Sequence, residues 1–188
     1  LPALTGAVPN AEVVEQFMAL WEQALVQLDD GASVLCLFDY HSENLIWLPQ
    51  RIGLRRVGLL DFQDAVGGPA AYDLVSLLED ARRDVSAETV DRALSRYLAG
   101  VPNENREAFL VQYALAGAQR NTRILGVFGR LFLRDGKVSY LDLMPRVWRH
   151  LENDLCALQL ADLRDWFDRN VPTEIRRTAP SVQTFVAP

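Results

Sequence analysis

The spacing of apolar residues changes twice along the chain, and each change marks a change of predicted structure. Val14, Phe17, Trp21, Ala24 and Leu28 recur every three or four positions, the spacing of one helix face. Asn10 ahead of them is a capping residue, Glu12 sits in the first turn, and the Asp-Asp-Gly run at 29–31 ends the helix. Residues 1–9, with Pro2, Gly6 and Pro9, read as a loose lead-in. Residues 33–38, 44–49 and 56–62 are short apolar runs and predict three strands, the second stopped by Pro49. A Gly- and Pro-bearing loop follows at 63–71. The helical period then returns. Leu74, Leu77, Leu78 and Ala81 mark a helix over 72–83, and Ser86 caps another through Leu98. Phe109, Tyr113, Ala116, Ile124, Val127 and Leu131 mark a long helix over 104–134. After a turn at 134–137, two helices are expected over 141–155 and 161–170, and an extended surface tail from Pro172. The expected fold class is α+β, mostly helical: a domain over 1–170 with a few short strands early, and a tail over 171–188. Trp47, Trp148, Trp166 and Cys36 lie in apolar patterns and are expected in the core.

Composition removes several function classes. The formal net charge of −6 argues against nucleic acid or an anionic membrane as main partner. No apolar run reaches the ~18 residues of a membrane span, and no basic segment followed by an apolar one opens the chain. Cys36 and Cys156 form neither a disulfide framework nor a metal-ligand pattern, so a cytoplasmic location is expected.

The polar stretch between the first two strands carries the candidate chemistry. Leu35–Pro49 reads LCLFDYHSENLIWLP, setting Asp39 and Asn44 in one loop, and Asp61 ends the third strand ahead of Phe62. Such a set suits phosphoryl transfer. One carboxylate accepts the proton of an attacking hydroxyl, while an amide oxygen and a second carboxylate hold Mg²⁺ on phosphate oxygens. The D-x-x-x-x-N spacing matches the catalytic loop of protein kinases, and Asp-Phe matches the start of their metal-binding motif. Read one at a time, the same residues are ordinary turn formers. Asp64 reads equally well as a surface cap or a second metal contact.

Taken together, DYHSEN and GLLDFQDAVGGPAAYDL resemble the aminoglycoside phosphotransferase family, the small-molecule branch of the kinase-like fold. Asp39, His41, Asn44, Asp61, Pro69, Tyr72, Asp73 and Leu74 fall on its pattern. The segments GAQRNTRILGVFGRLFLRDGK and YLDLMPRVWRHLENDL further resemble a bacterial subgroup of anomeric amino-sugar kinases. The resemblance spans about residues 10–170. It implies the C-terminal lobe of a kinase-like fold and an ATP- and Mg²⁺-dependent transfer of phosphate to a sugar or amino-sugar hydroxyl. Asp39 would be the catalytic base and Asn44 and Asp61 the Mg²⁺ ligands. Asp73 would cap its helix and brace the catalytic loop, and His41 would support the site. Two departures stand out. Leu37 occupies the position of the pattern's first histidine, which would remove a hydrogen bond and lower activity. No nucleotide-covering loop or strand lysine is present, the single lysine being Lys137 near the far end. An N-terminal nucleotide-binding lobe is therefore expected to be absent from these residues, which alone would bind ATP poorly.

Gln119, Arg120, Asn121 and Arg123 interrupt an otherwise apolar helix. They read either as a solvated, ion-paired face or as an acceptor site for sugar hydroxyls or a carboxylate, which arginine binds through paired hydrogen bonds. Two other functions compete with amino-sugar phosphorylation. One is a degenerate kinase-like lobe that binds a ligand or partner. The other is an aminoglycoside-modifying phosphotransferase.

Overall fold

The computed structural model describes residues 8–28 and 33–180. Helix α1 (Ala11–Val26) starts where Asn10 accepts a hydrogen bond from the Val13 amide at 2.9 Å. Four short strands follow: β1 (Val34–Cys36), β2 (Leu45–Trp47), β3 (Val57–Leu59) and β4 (Val66–Gly68). They form two separate antiparallel ribbons, β1 with β4 and β2 with β3. The helices are α2 (Tyr72–Leu78), α3 (Ala87–Leu98), α4 (Arg106–Asp135), α5 (Met144–Asp154), α6 (Ala161–Asn170) and α7 (Thr173–Arg177). A mostly helical chain with a few short early strands is what the periodicity predicts.

Helix α4 organises the body. Its 30 residues span about 45 Å. It packs along α5 and, at its middle, against α2. Its C-terminus is closed by Gly136, whose φ of 64° is a conformation glycine adopts without a Cβ clash. The larger core joins Leu115, Ala118, Leu125 and Phe128 of α4 to Val147, Trp148 and Leu151 of α5 and Trp166 and Phe167 of α6. Trp21 and Ala24 of α1 close it from the other side. A smaller core under the ribbons contains Cys36, Ala71, Tyr72, Val75, Phe109 and Ala116.

Several expectations are corrected. The loop at 63–71 contains a strand, β4, which pairs Val66 with Cys36. Its Val-Gly-Gly sequence gives no alternation to read. The first strand is not buried throughout: Val34 and Leu35 are exposed and Cys36 alone is enclosed. Trp47 is 62% exposed, with the Arg56 guanidinium 5.5 Å from its ring centre, whereas Trp148 and Trp166 are in the core. The helix beginning at Tyr72 ends at Leu78 rather than 83. The tail is not extended from Pro172. It folds into α7 because Arg176, 4% exposed, docks between Asp168 at 2.8 Å, Glu152 at 3.3 Å and the face of Trp148. The lead-in at 1–7, the turn at 29–31 and residues 181–188 lie outside the described residues.

A polar node sits inside the helical body. Asn121 on α4 is fully buried and donates to Glu79 at 2.7 Å and to Asp154 at 3.0 Å. Burial raises both carboxyls above their ordinary values, Asp154 most, because the Glu79 charge lies beside it. Burial and their mutual repulsion disfavour ionisation of both carboxyls at once. Gly117 makes room for this node. A Cβ there would lie 2.6–2.7 Å from the Asp154 carboxyl atoms.

Two expected outcomes follow from the node. Gly117→Ala lowers stability by about 1–3 kcal/mol, because the new Cβ displaces an Asp154 carboxyl engaged by Asn121, and urea denaturation measures it. The second concerns pH. Groups whose folded pKa is raised stabilise most when protonated, so their contribution is full below the ordinary carboxyl range and lost as pH rises through the raised values. Stability attributable to the pair thus declines toward alkaline pH, by up to about 1.4 kcal/mol per pH unit per proton. Asp154→Asn, which keeps the shape and a donor, flattens that decline in urea midpoints measured across pH.

Candidate active site

The loop after β1 is held in an unfavourable backbone conformation. Phe38 has φ 67°, in the left-handed region that a bulky side chain rarely occupies. Four contacts fix it. The Asp73 carboxylate accepts hydrogen bonds from the Leu37 amide at 2.7 Å and the Phe38 amide at 3.1 Å. The Ser76 hydroxyl donates to the Phe38 carbonyl at 3.4 Å, and the Phe38 ring lies 4.6 Å from that of Tyr72. All three partners belong to α2, whose start follows from Pro69 and the buried Ala71 and Tyr72. Asp73 lies in the first helical turn rather than at the cap, which is Ala71. Its carboxylate is therefore turned to the loop. The missing histidine at Leu37 does not loosen this brace, since the bond comes from the backbone.

The braced loop delivers Asp39, exposed, into a cleft of about 170 Å³. Phe38, His41, Tyr72 and Arg82 line one side, and Arg120, Arg123, Ile124 and Val127 of α4 line the other. Positions 120, 123, 124 and 127 form one helical stripe. Arg120 is 7% exposed and donates through Nη1 to the Glu79 carbonyl at 3.3 Å. Burial lowers its pKa, and the surrounding negative groups, Asp39 among them, oppose the shift.

Asn44 and Asp61 come together through the second ribbon. Leu45 pairs with Leu59, and the Leu60 amide donates to the Asn44 carbonyl at 2.9 Å, so Asp61 directly follows the residue facing Asn44. Facing Cα atoms in such a pair are about 5 Å apart. The two residues thus sit at one end of one ribbon. Asp61 also has positive φ, 54°, a conformation that aspartate tolerates and that re-aims its carboxylate. The Gln63 amide donates to that carboxylate. Asn44 donates its Nδ2 to the Asp39 carbonyl at 2.9 Å, with His41 Nε2 3.4 Å away. Its Oδ1 is left as an acceptor. Among the described residues no cluster of three or more His, Cys, Asp or Glu could hold a metal. The Asn44 amide oxygen and the Asp61 carboxylate are hard oxygens, the donor type that Mg²⁺ takes.

The predicted acceptor cluster divides. Arg120 and Arg123 line the cleft. Asn121 does not: its Nδ2 is spent on the buried node and it lies outside the lining, as does half-buried Gln119. Asp64 is exposed. Three contributors went unread in the sequence. Arg82 lines the cleft. Asp80 accepts from the Ser42 hydroxyl at 2.8 Å and the Arg82 amide at 2.8 Å, tying the loop between β1 and β2 to the residues that follow α2. Glu79 carries Arg120. Their signal was an Glu-Asp pair inside a helical pattern, which periodicity treats as its polar face.

Residues 2–110 match the model of the phosphotransferase enzyme family, and the chain belongs to that family. It is 49% identical over 168 residues to the N-acetylmuramate/N-acetylglucosamine kinase of Caulobacter vibrioides, covering 89% of this chain and 46% of that protein. Proteins of the same name from Pseudomonas aeruginosa and Neisseria meningitidis serogroup B are 43% and 42% identical over 113 and 102 residues. These cover 56% and 51% of this chain and 33% and 30% of those proteins. The chain thus spans less than half the length of these relatives. Among the described residues no helix is long and apolar enough to cross a membrane.

The brace defines one expected outcome. Asp73→Ala leaves the Leu37 and Phe38 amides without their acceptor at a cost of about 1–3 kcal/mol. Hydrogen exchange at those two amides accelerates, while Asp73→Asn, which retains one acceptor oxygen, falls between.

Proposed function

We propose that this chain is the catalytic and acceptor-binding part of an ATP-dependent phosphotransferase that phosphorylates a hydroxyl of an amino sugar. The observation that supports the reading is the neighbourhood of a braced loop and a ribbon end. A strained, braced loop opens Asp39 onto a monosaccharide-sized cleft, and the adjoining ribbon end carries Asn44 and Asp61. Asp39 would accept the proton of the acceptor hydroxyl while its oxygen bonds to the γ-phosphorus. The bond from that phosphorus to the bridging oxygen breaks, and ADP leaves. Asn44 Oδ1 and the Asp61 carboxylate would hold Mg²⁺, which neutralises charge on the phosphate oxygens. His41 and Asp73 would keep the loop in register.

The acceptor class is supported by the cleft's charge and by the names of the relatives. Arg82, Arg120 and Arg123 line the cleft against one carboxylate, Asp39. That balance repels a polycationic aminoglycoside and accepts a neutral or anionic sugar. The ribbons also expose Leu35, Ile46, Trp47, Ile52, Leu54 and Phe62. These exposed apolar residues are a place where a nucleotide-binding lobe would dock, and residues 1–188 would bind ATP poorly without one. A degenerate, binding-only lobe has less support, because Asp39, Asn44 and Asp61 are all present in the sequence.

The test is phosphate transfer from Mg-ATP to N-acetylglucosamine or N-acetylmuramate by the natural full-length polypeptide. Asp39→Ala is expected to lower kcat about 10²–10⁴-fold with folding unchanged. A variant as fast as the wild type would reject Asp39 as the base. A wild type inert on both sugars would reject the acceptor class.

A further inference from the structure

The three guanidinium groups of the cleft are engaged differently. Arg82 pairs with Glu43 at 3.4 Å. Arg120 is buried and donates to the Glu79 carbonyl. Arg123 lies one turn further along α4 on the same stripe, is exposed, and among the described residues has neither an ion pair nor a hydrogen bond. Apolar Ile124 and Val127 flank it on the cleft wall. It is therefore a cation at the site with no anion of its own. A neutral sugar would give such a group one ordinary hydrogen bond. A carboxylate would give it two charge-assisted ones, in a geometry that guanidinium matches.

We propose that Arg123 is the residue that distinguishes a carboxylate-bearing amino sugar from its neutral counterpart, binding the acceptor's carboxylate at the cleft rim. The assignment rests on the phosphotransferase reading above and adds a division of labour to it. Asp39 takes the reacting hydroxyl at the inner end. Arg120 braces the floor from α4 through its bond to the end of α2. Arg123 reads the substituent's charge. The group acts on binding of a part of the acceptor remote from the transferred phosphate, so its effect belongs in KM rather than in kcat.

Steady-state kinetics of the full-length polypeptide test this with N-acetylglucosamine and its 3-O-carboxyethyl ether as acceptors. Arg123→Gln is expected to raise KM for the carboxylated sugar about 10-fold or more. Its kcat on that sugar, and both constants on the neutral one, stay within about two-fold. Arg123→Lys, which keeps the charge and loses the fork, recovers part of the loss. Added salt weakens only the carboxylated sugar. Equal changes on the two sugars, or no change on either, overturn the assignment while transfer to the neutral sugar keeps the phosphotransferase reading standing. A wild type that phosphorylates neither overturns both.

Discussion

One carboxylate holds the site in working order. Asp73 accepts two successive backbone amides from a loop whose Phe38 sits in a strained conformation, and without an acceptor at that point the backbone would relax. Strain of this kind costs of order 1–3 kcal/mol and persists only when its surroundings over-determine it. Here α2 supplies all the determinants: Asp73 and Ser76 on the backbone, Tyr72 on the ring. The helix is short, at seven residues, and is rigid because Tyr72, Val75, Ser76 and Leu78 are buried. The position of Asp39 is thus inherited from the packing of a helix more than 30 positions away in sequence.

That packing leads to the interior node. Glu79 follows α2, Asn121 is on α4 and Asp154 closes α5, so one buried cluster ties three helices together. The same Glu79 uses its carbonyl to hold Arg120, which forms the cleft floor. Stability and site geometry therefore meet in one residue. A buried acid pair is a costly way to join helices, since burial disfavours the charged form of each carboxyl. The arrangement holds because Asn121 donates to both and Gly117 leaves the space they need.

Much of this was legible in the sequence, for identifiable reasons. Long helices with caps, such as α3 behind Ser86 and α4 up to Gly136, announce themselves by period and terminus. The polar loop announced itself by interrupting apolar runs, and the structure brings the Asn44 amide to the Asp39 carbonyl within it. Other features depend on tertiary contacts that local pattern does not encode. Strand β4 has only Val66 and two glycines, so it becomes a strand only through pairing with β1. Asn121 and Arg123 look alike as polar interruptions of a helix, yet two positions' rotation sends one into the core and the other to the cleft. Trp47 resembles a core residue in its short apolar run but stays on the surface. Helix α7 forms because Arg176 finds two carboxylates and an indole already assembled.

The separation of the strands into two ribbons has a mechanical result. Asn44 and Asp61 ride on one end of the β2–β3 ribbon, whereas Asp39 is anchored to α2. Tilting that ribbon would carry Asn44 and Asp61 as a rigid couple and leave their mutual spacing intact. The adjustable dimension is the gap between this couple and Asp39, bridged by the short turn through His41 and by the bond from Asn44 Nδ2 to the Asp39 carbonyl. Turn and amide together work as a tether, limiting how far the ribbon end can drift from Asp39.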